Sequence, residues 1–152
     1  MSNSYLFRMP AGIPGDVTRR EVAKVEAQMM DATTPVTVFG VPAKMVSGKI
    51  KPLAGAGDVI YGFLVRPYPT SGSVNEALAV GTPQVNMPCD LLRSGYMTVK
   101  VTAGVAAKDA HVLFNATTGL VEAGASGGTS IANAYFMGEA DSDGNVEISF
   151  NL

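Results

Sequence analysis

YMTVKVTAGVAAKDAHVLFNATTGLVEAGASGGTSIANAYFMGEADSDGNVEISFNL, residues Tyr96–Leu152, is the stretch whose reading decides the fold. It divides into short runs of strand-forming residues: Met97–Thr102, Ala110–Asn115, Leu120–Ala123, Ile131–Glu139 and Asn145–Asn151. Between them stand small-residue breaks: Ala103-Gly104, Ala116-Thr117-Thr118-Gly119, Gly124-Ala125-Ser126-Gly127-Gly128 and Asp141-Ser142-Asp143-Gly144. Short strands at such regular spacing predict an all-β domain, a sandwich or a barrel. No reactive group stands among these turns in an arrangement that points to chemistry.

Composition bounds the rest. The chain has 152 residues, 47% of them apolar, with a mean hydropathy of +0.21. That supports one domain with a sizeable core. Only 16% are charged, against about 25% in an ordinary soluble domain. The surface is therefore largely neutral and inexpensive to desolvate, which suits lasting contact with other protein. Net charge is −2 and the basic residues form no cluster beyond Arg19-Arg20, so nucleic acid is not an expected partner. The single cysteine, Cys89, excludes an intrachain disulfide and reads as a small core residue. No basic segment leads into an apolar run at the N-terminus, and no run approaches the roughly 18 residues of a membrane helix. No membrane is expected, and synthesis is expected in the cytoplasm.

Outward from the ladder, residues 1–16 read as an extended arm before a domain of residues 17–152. Pro10, Gly12, Pro14 and Gly15 oppose regular structure there. Tyr5, Leu6, Phe7 and Met9 are too apolar for a free tail. The arm packs along its own domain or on a neighbour, and the neighbour is slightly favoured. Thr18–Asp31 carries two patterns. Thr18 and Glu21 could form a helical capping box, whereas Ala23, Val25, Ala27 and Met29 alternate with polar residues as in a strand. The β character of the remainder favours the strand. Further strands are expected over Val36–Phe39, Met45–Lys51 and Val59–Arg66, with a short one at Gln84–Cys89 and a turn at Asp90–Gly95. Gly62 marks a bulge or a close backbone approach, and Gly55–Asp58 a turn. Arg66 and Tyr68, just past the strongest run, are expected at an exposed edge.

Candidate sites dissolve on inspection. Asp141-Ser142-Asp143-Gly144-Asn145 begins like a calcium loop, but its twelfth position is Leu152, not a glutamate. A hairpin turn explains it better. Gly55-Ala56-Gly57 lacks the third glycine of a dinucleotide site. His111 shares a strand face with Leu113, and neither a nucleophile nor a set of companion metal ligands accompanies it, so a half-buried strand histidine is expected. Asn115-Ala116-Thr117 matches a glycosylation sequon without a secretion signal. Tyr5, Phe7, Tyr61, Phe63, Tyr68 and Tyr96 read as core or interface anchors, because no basic residues interleave them. Nothing calls for a catalytic residue, a metal or a cofactor.

Several segments look familiar together. Pro14-Gly15-Asp16-Val17-Thr18-Arg19 and Gly62-Phe63-Leu64-Val65-Arg66-Pro67-Tyr68-Pro69 resemble motifs of the structural cement proteins of tailed bacteriophages. Val99–Gly119, with its Lys108-Asp109 and Thr118-Gly119 turns, is similar to phage head-decoration proteins, as is Gly127–Glu139 with the closing strand. Ala110-His111 departs from the glycine or apolar residue usual after the Lys-Asp turn. The resemblance implies a small β-barrel or jelly-roll protein with no catalytic residues. It would bind the exterior of the assembled head in many copies and bridge neighbouring major capsid protein subunits, as a dimer or trimer on local symmetry axes. The residues expected to touch a partner are Tyr5, Leu6, Phe7, Arg8, Arg66 and Tyr68. Two other classes fit the residues alone. One is a tail-tube or head-completion protein. The other is a soluble β-sandwich module binding carbohydrate or peptide, which predicts a concave face with clustered aromatics. A small hydrolase would need His111 within reach of a carboxylate or hydroxyl in a cleft.

Overall fold

A thirteen-residue strand, Pro88–Lys100, is the spine of the molecule. The computed structural model describes residues 11–67, 81–124 and 126–152. In chain order a 3-10 turn at Arg20–Val22 is followed by β1 Lys24–Met30, β2 Pro42–Val46, β3 Lys49–Pro52, β4 Gly62–Leu64, β5 Pro88–Lys100, β6 His111–Phe114, β7 Val121–Glu122, β8 Thr129–Phe136 and β9 Asn145–Asn151. The architecture is all-β, as the spacing predicts.

The strands close into two barrels that share β5. The order β1-β3-β2-β4-β5 returns on itself because β1 also pairs with β5. On the far half of β5 the order continues β9-β8-β6-β7. This second set returns to the chain just after β5: Thr102 N donates to Val121 O at 3.0 Å and Ala123 N to Ala103 O at 2.9 Å. Closure leaves few unpaired edges.

Each barrel has its own core, and β4 with β5 is the wall between them. Leu64 and Leu91 stand opposite each other and join Met30, Val36, Phe39, Val41, Ala43 and Ile50. One residue along, Phe63 and Leu92 pair on the other face and join the larger cluster with Met97, Val99, Phe114, Phe136, Ile148 and Phe150. The Phe63 and Phe150 rings meet edge-on at 5.0 Å. A strand buried on both faces reads as an unbroken apolar run, which is why Gly62-Phe63-Leu64 is apolar throughout. Gly62 is a close approach, since a Cβ there would lie 2.7 Å from the Leu92 carbonyl oxygen.

β9 alternates as expected, with Val146, Ile148 and Phe150 inside. β8 breaks alternation between Ile131 and Ala134, both buried. Asn133, at φ 55°, supplies the irregularity that resets the phase.

Five expectations change, the first being Gln84–Cys89, which is a turn at Val85-Asn86 before β5 begins at Pro88. Asp90–Gly95 is strand, not turn; it reads as polar punctuation, yet Asp90–Leu92 pairs with β1 and Leu91 and Leu92 also pair with β4. Met45–Lys51 is not one strand but the heart of the β2–β3 hairpin, reversed by Ser47-Gly48 at φ 51° and 75°. Val36–Phe39 forms no strand, because the Asp31 carboxylate accepts from Thr33 N and Thr34 N and turns the chain just before it. Of Val59–Arg66 only Gly62–Leu64 is strand, and Val59 is exposed.

Candidate interaction surface

The base of the arm is stitched to the barrels. Gly15 N donates to Thr98 O at 2.8 Å, Thr98 N to Asp16 O at 2.9 Å, and Thr18 N to Tyr96 O at 3.1 Å. The Thr98 hydroxyl donates to Ala11 O. Residues 11–16 thus lie on their own domain rather than on a neighbour. Residues 1–10, with Tyr5, Leu6, Phe7 and Arg8, fall outside the described residues, as does Tyr68.

Arg66 corrects its expectation. It is 8% exposed, not at an open edge. Its backbone N donates to Gly15 O and its Nε to Pro14 O, both at 2.9 Å. Its guanidinium lies 4.6 Å from the centre of the Phe39 ring. The chain leaving β4 turns inward because the arm base covers it. Burial pulls the Arg66 guanidinium below its ordinary value, against the opposing charge of Asp16. Burial likewise pushes the Asp16 carboxyl up, while Arg66 and Arg20 pull it back.

Beyond the arm base, Glu147 on β9 accepts from Thr18 Oγ1 at 2.6 Å and from Arg19 Nε and an Arg19 terminal nitrogen at 3.2 and 2.9 Å. The Arg19 guanidinium also lies 3.9 Å over the Tyr96 ring. Burial alone would raise the Glu147 carboxyl, but the hydrogen bonds from Arg19 and Thr18 and the Arg19 charge hold it below the usual range. Thr18 is therefore bound to β9 and takes no part in a capping box with Glu21.

Beside the arm base opens a groove of about 780 Å³ whose lining includes Ala11, Asp16, Val25, Val65, Pro67 and Asp90. It leads onto the outer face of β1, where Val25 and Met29 are 43% and 40% exposed. The strand expected there is present, but alternation alone could not tell which of its faces meets solvent.

The other candidates resolve as structure. Asp141 Oδ1 accepts from Asp143 N at 3.0 Å and Asn145 N at 2.8 Å, building the β8–β9 turn. Asp58 Oδ2 does the same for the Gly55–Asp58 turn, accepting from Ala54 N and Gly55 N, and also holds Lys44 Nζ at 2.8 Å. Among the described residues no three His, Cys, Asp or Glu side chains gather as a metal centre. His111 is exposed rather than half-buried, its ring 4.6 Å from that of Tyr135, because its face of β6 points away from the core. Cys89 is half-buried, its thiol donates to Gln28 O, and burial pushes it up to about 11. At neutral pH it is an unreactive thiol.

Comparison with known proteins then bears on these surfaces. Over residues 1–151 the sequence matches the family described as structural cement protein (E217 gp24/Pam3 gp6). A chain in the solved structure "The capsid of Myoviridae Phage XM1" superposes with a TM-score of 0.67 at 19% identity, covering 99% of this chain and 97% of that one. This second likeness speaks to the fold. No curated protein matches. The chain belongs to the bacteriophage structural cement protein family, and its role is a structural one in the capsid.

Proposed function

We propose that the protein cements the phage head from outside, bridging neighbouring major capsid protein subunits after binding the assembled shell. The observation that carries this reading is the family match over residues 1–151. The charge-poor composition supports it, since 16% charged residues leave a surface that desolvates cheaply. The mechanism is additive contact. A pressurised shell fails at the seams between capsomers, and a lasting bridge across a seam buries about 1,000 Å² or more. Modest affinity per copy suffices where contacts repeat over a lattice. Copies sit as dimers or trimers on local symmetry axes, and no catalytic step is involved. Tyr5, Leu6, Phe7 and Arg8 of the arm reach an adjacent subunit, and Tyr68 adds to the contact. Arg66 acts beneath them, fixing the arm base.

The test is co-sedimentation with purified heads that lack this protein. The full chain should pellet with shells at a fixed ratio to major capsid protein, and deletion of residues 2–9 should weaken binding while leaving the melting temperature unchanged. A full chain that stays in the supernatant at every concentration overturns the proposal.

A further inference from the structure

The outer face of the second barrel carries a transverse row of aromatic residues. Tyr96 on β5 and Tyr135 on β8 both stand opposite Ser149 on β9, and His111 on β6 stands opposite Tyr135. The chain neighbours Met97, Ile148 and Phe136 are fully buried, so alternation turns Tyr96, Ser149 and Tyr135 outward. Adjacent strands lie about 4.8 Å apart, which puts the two tyrosines roughly 10 Å apart at their bases. The small Ser149 between them leaves a hollow of about 390 Å³. Both rings are braced from outside it. The Arg19 guanidinium lies 3.9 Å over Tyr96 and is itself held by Glu147. The His111 ring packs 4.6 Å from that of Tyr135.

Further along the same face Asn151 stands opposite Ser94, and Asn133 completes the rim of the hollow. The Ser94 hydroxyl donates to Asn151 Oδ1 at 3.0 Å, which leaves the Asn151 amide nitrogen as a donor to a ligand. Among the described residues nothing hydrogen-bonds the Asn133 side chain or either tyrosine hydroxyl. None of the lining residues is charged. β9 is paired on both sides, with β5 and β8, so no strand edge opens here and a ligand is read by side chains alone. The volume falls in the range of small-molecule sites, roughly 300–1,000 Å³. We propose that this hollow binds a neutral sugar ring. The C–H face of a pyranose stacks on a tyrosine, and its hydroxyls, each donor and acceptor at once, match amides and hydroxyls rather than charges. Braced rings beside short amide and hydroxyl side chains bind at little ordering cost. The hollow uses no arm residue, so the inference is independent of the cement reading. Copies repeated over a shell would add weak sugar contacts into a lasting one.

Titration followed by heteronuclear NMR tests this. The nitrogen-15-labelled full chain receives the methyl glycosides of glucose, galactose, mannose and N-acetylglucosamine in turn, each up to about 50 mM, past the millimolar dissociation constant expected of a single ring. At least one should give saturable shifts confined to residues 94–96, 133–135 and 149–151. Tyr135→Ala should then weaken binding roughly tenfold through the lost stacking face. Asn133→Gly keeps the left-handed backbone at φ 55° without strain and should weaken it roughly fivefold through the lost amide. Both positions are exposed, so melting should stay near that of the wild type. No saturable shift with any of these glycosides, shifts elsewhere on the barrel, or affinity unchanged in both variants would each overturn the proposal. Shifts at the same residues that grow with protein concentration in the absence of sugar would assign the face to a second copy of the chain, and would overturn it as well. Shell co-sedimentation reads the cement function separately, so either reading can fail while the other stands.

Discussion

At Gly15 the arm, β4 and the Phe39 loop meet without room for a side chain. A Cβ there would lie 2.7 Å from Phe39 Cβ and 2.9 Å from Arg66 Cβ, and the residue sits at φ +93°. Gly15→Ala therefore meets two penalties: a left-handed backbone costs about 1–2 kcal/mol, and overpacking typically about 1–3 kcal/mol. Denaturant titration should show a loss of about 2–5 kcal/mol. Gly127→Ala is the control, with φ +87° but nothing within 4 Å, and should lose only the backbone part. Equal losses at the two sites would show that the packing around Gly15 yields freely. The sequence marks this glycine within Pro14-Gly15-Asp16, but it cannot show that the crowding partner is Arg66, fifty-one positions on.

Among the elements, the β4–β5 wall couples the two barrels. Phe63 is fully buried on the side of the second barrel although β4 belongs to the first. Phe63→Ala should cost about 3–5 kcal/mol through lost burial and the cavity left behind. Leu64→Ala, on the opposite face of the same strand, should cost about 2–5 kcal/mol. Because both barrels hang on one strand, unfolding by circular dichroism and by amide exchange in β2 and in β9 should shift together in each variant. Exchange that rises in only one barrel would show that the wall does not couple them. The apolar run Phe63-Leu64-Val65 is legible as a buried strand. Its service to two cores is not, because alternation gives two faces without saying what lies behind either.

For the molecule as a whole, Glu147 ties the chain entering β1 to the second barrel. Its carboxyl is held below the ordinary range in the fold, so the unfolded chain takes up the proton first as pH falls. The stability it contributes is complete above the unfolded value of about 4.3 and is lost as pH drops through the lower folded value. Urea midpoints measured from pH 6 down to pH 3 should fall more steeply for the wild type than for Glu147→Gln. Parallel curves would mean that the Thr18–Arg19–Glu147 contact contributes nothing to folding. The bidentate contact spans 128 positions of sequence, and no local pattern announces it.

The all-β class, the turns at Gly55–Asp58 and Asp141–Asn145, and the strand at β9 follow from the sequence by itself, since turn chemistry and period-two alternation are local properties. Tertiary structure alone decided two things: that Asp90–Gly95 is strand and that Arg66 is buried. Each depends on which distant segment lies alongside: β1 and β4 for Asp90–Gly95, and the arm base for Arg66. Burial is a relation between partners far apart in the chain, and a single sequence records the residues without recording who their neighbours will be.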